Sequence, residues 1–135
     1  MRAVLDANVL IAALLSRSGA PAQILRRWLG GGFELVVSES LLAELERALA
    51  YPKLRARITP EDAAGFVSFL QTTAILASDP PAPPRRSSDP GDDYVFALAE
   101  SEKAIVVSGD RHLLELADLF PILTPRDFLE SLDPL

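Results

Sequence analysis

Hydrophobic positions along this chain follow two rhythms in turn. Short, fully apolar runs stop abruptly at a polar residue, and between them apolar positions recur every three or four residues, the helical period. Val4-Leu5 is the first short run and ends at Asp6, as a buried strand would. Val9, Leu10, Ala13 and Leu14 then have helical spacing, so a helix is expected to begin near Ala7. Gly19-Ala20-Pro21 interrupts it, and Pro21 suits the first turn of a second helix carrying Ile24, Leu25, Trp28 and Leu29. Gly30-Gly31-Gly32 ends that helix, and Phe33 to Val37 reads as the second strand.

Ser38 is a good cap for the next helix, whose stripe is Leu41, Leu42, Leu45 and Leu49 and whose stop is Tyr51-Pro52. Thr59-Pro60-Glu61-Asp62 opens another, with Thr as cap, Pro in the first turn and acids at the positive end of the dipole, and it runs to about Thr72. Ala74 to Ala77 reads as a short strand. From Asp79 to Gly91 five prolines surround Arg85-Arg86-Ser87-Ser88, which predicts a mobile loop. Asp92 opens a helix with Val95, Phe96 and Ala99, and Ala104 to Val107 is a fully apolar strand. Ser108-Gly109-Asp110 leads into a helix bearing Leu113, Leu114 and Ala117. Pro121 to Leu123 is a last short strand, and Thr124-Pro125-Arg126-Asp127 caps a terminal helix.

Short apolar strands alternating with helices predict a parallel sheet covered on both faces. The expectation is an α/β fold in three layers, α/β/α, with a central, mainly parallel twisted sheet and one domain over residues 1–135.

Composition narrows the chemistry. With no cysteine, thiolate metal sites and cysteine nucleophiles are excluded, and His112, the single histidine, excludes any site built on two imidazoles. A metal here must be held mainly by oxygen, which favours magnesium, manganese or calcium over zinc. Charges at Arg2 and Asp6 leave no apolar stretch for a signal peptide, and the longest apolar run, Val9 to Leu15, is short of the roughly 20 residues that cross a bilayer. A soluble, cytoplasmic protein without a membrane partner is expected. The net charge of −6 is unusual for a nucleic-acid binder, although basic clusters occur at Arg26-Arg27, Lys53 to Arg57 and Arg85-Arg86.

Ligands of parallel α/β sheets bind beyond the carboxyl ends of the strands. Asp6 and Asp110 fall on that edge directly, and Ser38 ends the second strand there. Glu44 lies nearly two turns into the following helix, beside its apolar stripe, where it is able to face back over the sheet. Asp92 opens the helix that feeds the strand ending at Asp110. Four carboxylates converging from four elements repel one another unless a cation sits among them. Each also has an ordinary structural role open to it: helix caps for Asp6, Asp92 and Asp110, and a solvated surface acid for Glu44.

The order and spacing of four segments, Val4-Leu5-Asp6-Ala7-Asn8-Val9-Leu10, Val37-Ser38-Glu39-Ser40-Leu41-Leu42-Ala43-Glu44-Leu45, Asp89-Pro90-Gly91-Asp92-Asp93 and Val106-Val107-Ser108-Gly109-Asp110, resemble the PIN domain, specifically toxin ribonucleases of the VapC type. The resemblance covers nearly the whole chain. It implies a PIN-like fold in which Asp6, Glu44, Asp92 and Asp110 bind Mg2+, or Mn2+, and hydrolyse RNA phosphodiester bonds. It implies supporting polar roles for Asn8 and Ser108, and Ser38 joins them as a candidate. Counting back from Asp110 favours Asp92 over Asp93 as the third acid, with Asp93 its rival. Arg111 is a candidate phosphate contact; His112, two residues after Asp110, is either a substrate contact or an exposed polar residue, and Arg85-Arg86 reach RNA if their loop folds over the active edge and are otherwise solvated. The same resemblance implies a small antitoxin partner and a homodimer, for which the helices Ile24 to Leu29 or Phe66 to Leu70 offer apolar surface.

Two rival readings remain. A haloacid-dehalogenase-type phosphatase also places an Asp after its first strand, but it expects Asp-x-Asp, and Asn8 stands where the second acid, its general acid, belongs. A non-catalytic PIN-like binding module would keep the fold without the chemistry.

Overall fold

The computed structural model describes residues 1–81, 93–118 and 120–133. Five strands form one sheet: β1 (Arg2–Leu5), β2 (Glu34–Val37), β3 (Ile75–Leu76), β4 (Ile105–Val107) and β5 (Ile122–Leu123). Their spatial order is β3-β2-β1-β4-β5, and every pairing is parallel. The register sets Ala3 beside Leu35 on one side and beside Ile105 on the other.

β1 is central, and Ala3, Val4 and Leu5 are wholly buried, which explains why it reads as a continuous apolar run rather than an alternating one. The chain winds outward from β1 to β3 and then crosses back to β4 and β5. The direction of winding therefore reverses between β1 and β4, the switch point where doubly wound sheets open a crevice.

The helices of the first half, α1 (Ala7–Leu15), α2 (Ala20–Leu29), α3 (Glu39–Leu49) and α5 (Pro60–Thr73), pack on one another. α8 (Pro125–Ser131) joins α2, with Phe128 meeting Phe33 edge to face at 5.0 Å. α6 (Asp93–Glu102) packs on β1 and β4. Right-handed crossovers set it on the face opposite the first-half helices, giving the three layers. On α3 the stripe Leu41, Leu42, Leu45 and Leu49 is buried as its spacing requires, each side chain contributing about 1.5–3 kcal/mol of transfer free energy.

Local chemistry fixes the helix starts. Ser38, Thr59 and Thr124 each accept the amide three residues on, at 3.3, 3.0 and 3.1 Å. Two details depart from the periodicity. Pro52 ends α3 but also begins a one-turn helix, α4 (Pro52–Arg55), since its fixed φ suits a first turn as well as a stop. α7 covers only Arg111–Leu114, so Ala117 lies in a turn beyond it. The proline-rich segment from 82 to 91 lies outside the described residues. No helix among the described residues is long and apolar enough to cross a membrane.

Candidate functional site

Three polar residues, Asp6, Ser38 and Ser108, are buried among the described residues, and each is the first residue past the end of a strand. They follow β1, β2 and β4, the three central neighbours in the sheet. Here the backbone leaves the ladder, and a side chain at that point lies over the carboxyl edge of the sheet.

Asp6 serves two roles at once. Its Oδ1 accepts the Val9 amide at 2.9 Å and caps α1, while its Oδ2 accepts the hydroxyl of Ser108. Its own amide donates to the Val107 carbonyl at 3.1 Å, tying the end of β1 to the end of β4. One oxygen of the carboxylate thus caps the helix while the other is held by Ser108 at the carboxyl edge of the sheet. Ser108 in turn accepts the Asp110 amide at 2.9 Å, so a single hydroxyl joins both acids across the switch point.

Asp6 is only 6% exposed, and that burial pushes its carboxyl above the ordinary value. The bonds from Ser108 and Val9 oppose the rise, and the negative charges of Asp110 and Glu44 add to it. Asp6, Glu44 and Asp110 thus share one electrostatic neighbourhood although they come from β1, α3 and the loop after β4. Glu44 is half-buried on the flank of the α3 stripe, as its position beside Leu41 and Leu45 predicts. It accepts a hydrogen bond from the phenol of Tyr94 in the first turn of α6, so it is tied to the opposite layer.

The sequence reading missed Tyr94. The available signal was an aromatic residue with a polar tip next to a candidate acid, on a helix that had to face the sheet. Asp79, which follows β3, was also passed over as a loop residue. Its Oδ2 accepts the Ser40 amide at 3.0 Å, a second acceptor at the start of α3 beside the Ser38 cap.

The remaining candidates divide. Ser38 acts as the α3 cap and so positions the helix that carries Glu44. Asn8 is exposed on α1, and Arg111 is exposed at the start of α7, immediately after Asp110. Asp92 lies outside the described residues; Asp93 begins α6, and its side chain is not described, nor is that of His112. Arg85 and Arg86 also lie outside them. Of the other basic residues, Arg27 pairs with Asp133 and Arg26 donates to the Arg17 carbonyl at 3.0 Å.

Among the described residues no three acid or imidazole side chains are grouped closely enough to cage an ion. Magnesium does not need such a cage, since it keeps several waters and takes one or two carboxylates. The donors here are all oxygen, and no described Lys or Arg forms an ion pair with Asp6 or Glu44. A buried acid held above its ordinary pKa by burial and by two neighbouring acids is a group that a divalent cation would relieve, so the donor set fits that ion.

The fold is similar to three solved structures. VapBC2 from Rickettsia felis, bound to a DNA fragment from its promoter, matches with a TM-score of 0.65 at 13% identity over 92% of this chain and 98% of that one. PAE2754 from Pyrobaculum aerophilum matches with a TM-score of 0.66 at 18% identity, over 98% of this chain and 89% of that one. FitAcB from Neisseria gonorrhoeae matches with a TM-score of 0.58 at 18% identity, over 92% and 98%. In sequence, the uncharacterized protein MJ1680 of Methanocaldococcus jannaschii is 26% identical over 143 residues, covering 98% of this chain and 92% of that protein. The family model of the PIN domain matches residues 2–112, a stretch that runs from β1 through the acids at both sides of the switch point, and the chain belongs to the PIN domain family.

Proposed function

We propose that this protein is a divalent-metal-dependent endoribonuclease that hydrolyses RNA phosphodiester bonds, and that it is the toxin of a toxin–antitoxin pair. The observation that carries the reading is the buried Asp6 carboxylate, joined to Asp110 through Ser108 and raised in pKa by its burial and by Asp110 and Glu44. Asp6, Glu44 and Asp110 would hold Mg2+ or Mn2+, with Asp92, or its neighbour Asp93, as the fourth acid. When bound, the ion supplies Lewis acidity toward the phosphodiester and lowers the pKa of water.

The chain's own residues supply position. Ser108 fixes the spacing of Asp6 and Asp110, Tyr94 holds Glu44, and the α1 cap keeps Asp6 from rotating away. Arg111, exposed next to Asp110, offers a cation to a substrate phosphate at the acid edge. The acidic net charge is less of an obstacle on this reading, because the four carboxylates contribute to it and bound cations would offset them.

The toxin role rests on the likeness to VapBC2 and on the sequence resemblance to VapC-type proteins. A small antitoxin would then cover the acid edge. A homodimer belongs to the same reading, with Leu29 on α2 and Phe69 on α5 as exposed apolar side chains.

The deciding experiment is RNA cleavage by the purified protein with Mg2+ or Mn2+. Cleavage is expected to vanish in excess EDTA and in Asp6→Asn while the far-UV dichroism stays native. Full cleavage by Asp6→Asn, or in EDTA, would overturn the mechanism. Purification from the native host is expected to bring down a small partner, and its consistent absence would count against the toxin role.

A further inference from the structure

Next to the acids the surface is hollowed. A cavity of about 300 Å3 is bounded by Asn8, Val9 and Ala12 of α1, Pro21 of α2, Pro125 of α8 and Asp110. It shares Asp110 with the candidate reaction centre, so whatever enters it lies beside the acid cluster. Val9, Ala12, Pro21 and Pro125 make an apolar wall, Asn8 is polar, and Asp110 is the one charged residue among the described residues lining it. The apolar wall offers an uncharged planar ring a surface to lie against. The volume stands at the small end of ligand sites, which span roughly 300–1,000 Å3, and suits one nucleoside better than a length of peptide. Asn8, exposed at the rim, carries both a donor and an acceptor, which is what the edge of a base requires.

Gly109 completes the lining. Its φ is not left-handed, and a Cβ built on it would meet nothing among the described residues within 4 Å. Neither the backbone nor the packing of the described residues calls for glycine at this point. A side chain there would instead stand at the cavity, beside Asp110.

We infer that this cavity is a nucleobase subsite, receiving the unpaired base of the nucleotide adjacent to the scissile phosphate, with Asn8 and Gly109 as determinants of where RNA is cut. The inference rests on the nuclease reading above and adds to it a place where a base splayed out of the strand is read on its edge.

Two readouts separate the claims. The metal-free protein is titrated with the dinucleoside monophosphates ApA, CpC, GpG and UpU while the methyl signals of Val9 and Ala12 and the side-chain amide of Asn8 are followed by NMR. Saturable shifts at all three are expected, with affinities that differ by about tenfold between the best and worst base and fall in Gly109→Val. The second readout maps cut sites in a randomised single-stranded RNA. The wild type is expected to show a base preference at one position next to the cut, and Asn8→Ala and Gly109→Val to flatten it. Ala12→Leu fills the cavity from α1 and provides the same test should Gly109→Val disturb Asp110. Cleavage with no dinucleotide shifts, or an unaltered preference in both filled variants, overturns the subsite and leaves the nuclease intact. Dinucleotide binding in the cavity without metal-dependent cleavage supports the subsite and overturns the nuclease instead. Shifts from a partner peptide with none from any dinucleotide mark a protein-docking groove and also overturn the subsite.

Discussion

The hydroxyl of Ser108 stands between two acids, donating to Asp6 and accepting the amide of Asp110 at 2.9 Å. It is wholly buried, so no water replaces it easily. Ser108→Ala leaves a buried carboxylate oxygen and a backbone amide without their partner, which costs about 1–3 kcal/mol. The urea midpoint is expected to fall with the slope of the transition unchanged. The Ser108 bond also lowers the Asp6 carboxyl, so its loss pushes that group further up. An NMR titration of Asp6 that moves down, or not at all, would show that the hydroxyl does not hold the carboxylate as described.

Entry into β4 depends on Lys103, which has a φ of 53°. It follows α6, and the Ala104 amide reaches back to the Ala99 carbonyl at 2.8 Å, the closing bond of a Schellman turn. A side chain in the left-handed region costs about 1–2 kcal/mol, while glycine loses some 0.5–1 kcal/mol through its freer unfolded chain. Lys103→Gly should therefore stabilise the protein by up to about 1 kcal/mol. Thermal denaturation checks this, and a lower melting temperature would mean that the lysine side chain contributes a compensating contact.

Much of this fold was legible because its signals are local. The strand ends before Asp6 and Ser108 follow from apolar runs that stop, and the caps at Ser38, Thr59 and Thr124 follow from residue chemistry within one turn. The short helices were read less well, since one turn has no period to detect: α4 was taken only as a stop at Pro52, and α7 was extended to Ala117. The partnership of Glu44 with Tyr94 was invisible because the two are 50 residues apart and meet only when α6 packs under the sheet. Ser108 was marked as a supporting residue by resemblance alone; its bridging of Asp6 to Asp110 depends on the β1–β4 register. Asp92 itself lies outside the described residues, so the fourth acid rests on resemblance and on the count back from Asp110.

Tyr94 offers a separate test of Glu44. Tyr94→Phe keeps the ring and its packing while removing the donor, so the fold should survive. Residues that orient metal ligands through hydrogen bonds typically change metal affinity or activity by about 10–100-fold when lost. A weaker Mn2+ affinity and a lower kcat are expected, with little change in the KM for RNA. An effect on thermal stability alone, with metal affinity intact, would make Tyr94 a packing residue and weaken the case for Glu44.

Asp6 links stability to pH in a direction opposite to that of most carboxylates. Burial raises its carboxyl above the ordinary 3.8 in the folded state, so the folded protein binds its proton more tightly than the unfolded chain does. Stability contributed by this group is therefore present at low pH and is lost as pH rises from about the ordinary value through the raised one. In metal-free buffer at pH 7, Asp6→Asn should melt a few degrees above wild type, with the difference shrinking to nothing near pH 4. Added Mg2+ should reverse the order, because an ion that binds only the folded state stabilises by about 2.7 kcal/mol at a hundred times its Kd. That gain should be largely missing in Asp6→Asn. Melting curves at both pH values, in EDTA and in Mg2+, decide the matter. Equal Mg2+ shifts in the two proteins would detach Asp6 from the metal, and a lower melting temperature of the variant at pH 7 in EDTA would show that its carboxylate is not held under strain by its neighbours.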